Sequence, residues 1–251
     1  MIKREHQNKT AVIRLYRPPA NVIDIELCSA LEKVIRAETD SDSKAIILTG
    51  HGSIFSAGVD LLKLLNSEAG YIRQFLTSLE QLIETLYFCP KPVVAAINGH
   101  AIAGGCVIAS CADHRLMAQG KGRIGVPELR VGVPFPVIIM ELMRARVDSA
   151  SFQEIVLGGD TYTTGMAIQK GLIDEIVSPE DLMDKAQACA LSLAGIRPEI
   201  YSFTKLQVRQ PVRDMADAQN KVYGDEIYSI WESEQTRQAI RQYMEKTFKK
   251  T

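Results

Sequence analysis

Ile97-Asn98-Gly99-His100-Ala101-Ile102-Ala103-Gly104-Gly105-Cys106-Val107 joins the end of an apolar, β-branched run to the start of a helix-like one, with Gly99, Gly104 and Gly105 between them. Val93 to Ile97 reads as a strand ended by Asn98-Gly99, and Cys106 to Cys111 as the helix that follows. Backbone N–H groups near Gly104 would then face outward from a helix N-terminus, where no helix carbonyl can accept them. Glycine leaves room for a ligand carbonyl to approach that main chain. A glycine pair also serves tight packing alone, so the stretch fixes a strand-turn-helix unit before it fixes a site.

The same alternation extends in both directions. Ala11 to Tyr16, Ala45 to Thr49 and Asp113 to Ala118 read as strands, the first stopped by Arg17-Pro18-Pro19. Ile25, Cys28, Leu31 and Ile35 mark a helix over 25–37. Ile72, Phe75, Leu79, Leu82, Ile83 and Leu86 mark another over 71–88, halted by Pro90 and Pro92. Strands alternating with helices predict an α/β fold. Beyond Val126 the strand signal fades, and helices are expected at 152–157, 164–170, 179–193 and through much of 198–250. The chain divides on this reading into a core, 1–195, and a helical C-terminal region, 196–251. Tyr223, Ile227, Ile230, Trp231, Ile240, Tyr243, Met244 and Phe248 give that region too much apolar surface for an isolated appendage, so it should pack on the core or on another subunit.

With 251 residues, 46% of them apolar, the chain can fill a sizeable core. Its net charge of -1 gives no broad basic field for nucleic acid or an anionic membrane surface. MIKREHQNKT lacks the apolar centre of a secretory signal, and no run of about 18 uncharged apolar residues occurs; a cytoplasmic location is expected. Cys28, Cys89, Cys106, Cys111 and Cys189 lack the paired spacing of metal or redox motifs, so free buried thiols and no metal are expected.

Ser56-Ala57-Gly58-Val59-Asp60 is a second small-residue turn after a strand, and it presents the N–H of Val59. Converging with the N–H of Gly104, it would make an oxyanion hole for charge developing on a carbonyl oxygen. Glu128 follows Pro127 in an apolar setting of Val126, Leu129, Val131, Val133, Pro134 and Phe135, which would raise its pKa and strengthen it as a base. Taken alone, Glu128 is equally a turn cap or a partner for Arg130. Asp60 reads as a helix cap, and His100 and His114 as strand-end or surface residues.

The order and spacing of Arg17-Pro18-Pro19-Ala20-Asn21, Ile54 to Leu61, Pro92 to Ala118, Gly125 to Pro134 and Gly171 to Glu175 resemble the crotonase superfamily of enoyl-CoA hydratases and isomerases. The resemblance runs through nearly the whole chain. It implies a spiral of ββα units whose strands form two roughly perpendicular sheets, followed by a helical region, 196–251, that serves trimerisation and covers the active site. It also implies an acyl-CoA substrate, no separate cofactor, and a homotrimer or hexamer. The thioester carbonyl would lie between Val59 and Gly104, with the coenzyme A moiety along Ser56, Ala57, Gly58, Val59, Asp60 and Leu61, beside Pro127. Lys205, Lys246, Lys249 and Lys250 are available to its phosphates.

Hydratases of this superfamily carry two glutamates, one in the helix after the glycine turn and one in the later Pro-Glu segment. Here those positions hold Val107 and Glu128. The closer likeness is to single-glutamate enoyl-CoA isomerases, which share PPxN, FSAGxDL, AGGC before an apolar residue, and a late Pro-Phe pair. One carboxylate suffices to take a proton from C2 and return it at C4. Pro136 stands where dienoyl-CoA isomerases carry an acid, which disfavours that reaction. The alternatives are hydration, another enolate-based lyase or hydrolase reaction, and acyl-CoA binding without catalysis.

Overall fold

The computed structural model describes residues 1–68 and 70–248. In the larger of two sheets, β1 (Ile2–Gln7) and β2 (Thr10–Leu15) form an antiparallel hairpin. From β2 the sheet continues in parallel through β3 (Ala45–Thr49), β5 (Val93–Ile97), β7 (His114–Ala118) and β10 (Glu175–Val177). The smaller sheet runs β4 (Ile54–Ser56), β6 (His100–Ile102), β8 (Ile124–Gly125) and β9 (Thr161–Tyr162), with only the last pair antiparallel. The pairs β3–β4, β5–β6 and β7–β8 each place their first strand in the larger sheet and their second in the smaller one. A helix follows each pair, which is the expected spiral of ββα units.

After β2 comes α1 (Ile25–Thr39); α2 (Leu61–Asn66) and α3 (Tyr71–Tyr87) follow β4, α4 (Gly104–Ser110) follows β6, and α5 (Glu128–Val131) follows β8. The chain then runs through α6 (Val137–Arg146), α7 (Ser149–Gly158), α8 (Thr164–Gln169), α9 (Leu182–Ala194), α10 (Pro198–Glu232) and α11 (Glu234–Phe248). β3 and β5 are buried at every position, which explains their continuous apolar sequences AIILT and VVAAI. Alternate residues serve opposite faces: Ile46 and Leu48 join the main core with α1 and α3, whereas Ile47 packs with Leu182, Ala186 and Ala190 of α9.

Several strands escape the sequence pattern. β1, IKREHQ, is a largely exposed edge whose charges guard it against further pairing, so it carries no apolar period. β4, β6, β8, β9 and β10 have only two or three residues each, too few to show alternation. Strands therefore do not stop at Val126: β9 and β10 lie beyond it. Of the thiols, Cys28, Cys89, Cys106 and Cys111 are buried and free, whereas Cys189 is half-buried.

α10 and α11 pack back on this chain's own body, α10 against α6 and α3, and α11 against α2 and α5. The anchor is ionic. Lys205 and Arg209 are buried in α10 and reach the two carboxylate oxygens of Asp113 at 2.7 and 2.6 Å. Lys205 also donates to the Lys91 carbonyl at 2.8 Å, and Arg209 to those of Tyr87 and Cys111. Lys205 is thus consumed inside the fold. Burial presses its ammonium pKa down to about 8, Asp113 opposes that shift, and the side chain is not a solvated phosphate contact. Lys246 is exposed, and Lys249 and Lys250 fall outside the described residues.

Asp113→Ala, which strands two buried cations, should cost about 3–5 kcal/mol in urea unfolding. Arg241→Ala, which removes an exposed pairing with Glu234, should cost under about 0.5 kcal/mol. A loss at Asp113 as small as that at Arg241 would contradict the anchoring role.

Candidate active site

The first donor turn is held by a short loop that precedes it. Asn21 is buried at φ 50°, a left-handed conformation that asparagine tolerates better than most residues. Its Nδ2 donates to the carbonyls of Ile54 and Phe55 at 3.0 and 3.1 Å, and its Oδ1 accepts from the Arg17 N–H at 2.8 Å. Ser56 Oγ donates to the Asn21 carbonyl and accepts from the Gly58 N–H. Ile23 bridges to Val59 in parallel fashion: its N–H donates to the Gly58 carbonyl at 2.8 Å and its carbonyl accepts from Asp60 N–H at 2.9 Å. In such a bridge the flanking peptides face Ile23, so the Val59 N–H is turned to the opposite side.

The second donor turn presses against the first. A Cβ on Gly105 would lie 2.5 Å from the Ser56 carbonyl oxygen, and one on Gly58, at φ 89°, 2.7 Å from that of Ile102. Only glycine permits this approach. The imagined Cβ of Gly104 falls 3.8 Å from Val59 Cγ2, so the two donor residues are neighbours. Gly104 is the first residue of α4 and its N–H has no acceptor within the helix. Ala103 before it sits at φ 52° and ψ -126°, a strained conformation for a residue with a side chain. Ala103 N–H is tied to the Gly125 carbonyl at 2.8 Å.

Both turns open on one cavity of about 800 Å³. Ala57, Val59, Asp60, Leu61, Gly104, Pro127 and Glu128 line it; Ser56 and Gly58 stand behind its wall, Ser56 fully buried. Asp60 caps α2 by accepting from Lys63 N–H at 3.0 Å. Its neighbour Asp24 caps α1 and is bound by Arg17 and Lys63. Burial would raise the Asp24 pKa, but these hydrogen bonds outweigh it and hold the carboxyl well below the usual range.

Glu128 opens the single turn α5, which Pro127 begins and Gly132, in left-handed conformation, ends. Gly132 and Val133 both donate to the Glu128 carbonyl at 3.0 Å, so its backbone is held. The side chain has a different fate from those of the other buried acids. Its Oε2 is shielded from solvent and has no hydrogen-bond partner among the described residues. Arg130 pairs instead with Asp160 at 2.6 Å and the Gly158 carbonyl at 2.8 Å. Burial pushes the Glu128 carboxyl up to about 8. Val107, 1% exposed, lines the same cavity, as do Val131, Val133 and Phe135. A carboxyl with apolar neighbours thus shares one chamber with Val59 and Gly104.

The histidines are not part of it. His100 Nδ1 accepts from the Arg123 N–H at 3.3 Å, and His114 lies 3.8 Å from Glu175. Sequence reasoning missed the clamping role of Asn21, although Pro-Pro-Ala-Asn was visible. It also missed Trp231, Tyr243 and Met244 as cavity walls, for which no local signal exists.

Across 252 aligned residues the chain is 26% identical to enoyl-CoA delta isomerase 1, mitochondrial, of Mus musculus, covering 98% of this chain and 86% of that protein. It is 27% identical over 247 residues to the short-chain-enoyl-CoA hydratase of Clostridium acetobutylicum, covering 96% and 94%. The crystal structure of human mitochondrial delta3-delta2-enoyl-CoA isomerase shares the fold, with a TM-score of 0.94 at 22% identity and coverage of 100% and 99%. The family model described as Enoyl-CoA hydratase/isomerase matches residues 5–250, and this chain belongs to that family.

Proposed function

We propose that the protein is an enoyl-CoA isomerase that moves a double bond from C3 to C2 of an unsaturated fatty acyl-CoA. One observation carries the choice within the family: Glu128 is the acid at the inner part of the cavity, and the buried side chain that shares its chamber from α4 is Val107, which can neither hold water nor transfer a proton. Of the other acids on the wall, Asp60 is committed to capping α2 and Glu245 is exposed at the rim.

The thioester carbonyl accepts from the Val59 and Gly104 N–H groups. Glu128 removes a proton from C2, the electron pair delocalises into the thioester, and the enolate oxygen is stabilised by the two donors. Glu128 then returns its proton at C4 as the double bond forms between C2 and C3. The apolar wall serves both steps: it raises the basicity of the carboxylate and withholds water from the intermediate. No metal or separate cofactor has a role in this scheme. Exposed Phe203, Val208 and Val222 on α10 support a homotrimeric or hexameric assembly. No helix among the described residues is long and apolar enough to cross a membrane, in keeping with a cytoplasmic location.

Incubation with 3-enoyl- and 2-enoyl-CoA should interconvert them with no change of mass; a product heavier by one water would replace isomerisation with hydration. Glu128→Gln should lower kcat by roughly 10²-fold or more while acyl-CoA affinity stays nearly unchanged. Turnover equal to the parent would reject Glu128 as proton carrier. Because the ionised carboxylate is the base and is held neutral below about 8, kcat/KM should rise with pH and level off above that value. A profile already flat from pH 5 to 9 would contradict this.

A further inference from the structure

We infer that Trp231 sets the length of acyl chain the site accepts, by closing the inner end of the cavity together with Leu79, Phe135 and Ile139. The inference deepens the reading above and rests on it, since it takes the thioester to lie between Val59 and Gly104.

The cavity is graded from rim to floor. Leu62 on its wall is 60% exposed, and Pro19, Glu245 and Thr247 are exposed with it. Leu79, Phe135 and Ile139 are 3% exposed and Trp231 4%, all within the main core. A tail that passes the thioester position away from the rim therefore meets hydrocarbon. The indole N–H is the one polar group of these four side chains, and it is spent on the Pro134 carbonyl at 2.9 Å. None of these four side chains has a hydrogen bond to offer a substrate hydroxyl or carboxylate, so the tail they suit is an unsubstituted hydrocarbon.

Trp231 is also held in place. Tyr228, one turn earlier, donates to Glu80 Oε2 on α3 at 3.1 Å, and Glu232, the next residue, pairs with Arg73 of α3 at 3.3 Å. The Arg73 guanidinium lies 4.5 Å from the Tyr228 ring centroid. With the indole pinned to Pro134 and the end of α10 tied to α3 on either side of it, the ring cannot move without breaking several contacts in a close-packed core. A longer tail would meet a fixed stop.

Titration of the full chain with saturated acyl-CoAs of increasing length, read by calorimetry, tests this without requiring turnover. Affinity should rise roughly fourfold per methylene until the tail reaches the indole, then stop rising. Trp231→Leu and Trp231→Ala should move that break to longer chains, and Trp231→Phe should move it less. Melting curves identify the variants that remain folded. A tail ending in a carboxylate should bind at least about tenfold more weakly than its methyl-ended counterpart. An affinity that climbs without a break in the parent, or a break unmoved in a folded variant, would overturn the role of Trp231 while leaving the thioester site intact. Failure of every acyl-CoA to bind would overturn both.

Discussion

Contact between two backbone turns, one around Gly58 and the other around Gly105, is the constraint on which the site depends. Each glycine lies where a side chain would strike a carbonyl of the opposing turn. That closeness makes Val59 and Gly104 neighbours, with Gly104 at the first position of α4. The turns are not held by each other alone: Asn21 and Ile23 tie the first to the loop after β2, and the Gly125 carbonyl ties the second to β8. Strain at Ala103 falls at the junction where the chain must reverse to start α4. In the proposed reaction, N–H groups fixed in this way would need no reorganisation when charge develops on the thioester oxygen.

Against this frame the treatment of acidic side chains is selective. Asp24, Glu38, Asp113 and Asp174 are each buried or partly buried, and each is matched by cations or hydroxyls; Arg115, for example, holds Asp174 at 2.9 and 2.7 Å. The hydroxyls of Ser41 and Ser43 and the His6 ring hold Glu38 against its own burial and lower its pKa. Glu128 alone of these acids lines a cavity with a buried oxygen left unmatched among the described residues, and burial moves its pKa opposite to those of Asp24, Glu38 and Asp174. An unpartnered buried carboxyl weakens a fold. Its presence in the cavity that Val59 and Gly104 also line is what the proposed proton transfer requires. The C-terminal helices complete that environment by supplying Trp231, Tyr243 and Met244 to the same wall.

The sequence reveals most where one residue type answers one physical demand. Continuous apolar runs mark β3 and β5 because both faces are covered, and the apolar stripe of α3 marks its helix. The two small-residue turns and Glu128 are ambiguous one by one, since glycine also serves close packing and an acid also caps a turn; only their order and spacing, which resemble those of the family, single them out. The short strands are hidden because two or three residues carry no period, and β1 because an exposed edge is polar. Lys205 misleads because its neighbours in sequence do not show that Asp113, far away along the chain, will bury it. The wall formed by Trp231 is equally tertiary: nothing local says that the end of α10 folds back against α3 and the Pro134 carbonyl.

The most direct test of a single carboxyl moving a proton along the substrate is to supply a 3-enoyl-CoA carrying deuterium at both C2 positions and to locate the label in the product. The account predicts a 2-enoyl product with no added water and with deuterium transferred to C4, and neither product nor transfer with Glu128→Gln. A product that gained water, or a 2-enoyl product with no deuterium at C4, would contradict it.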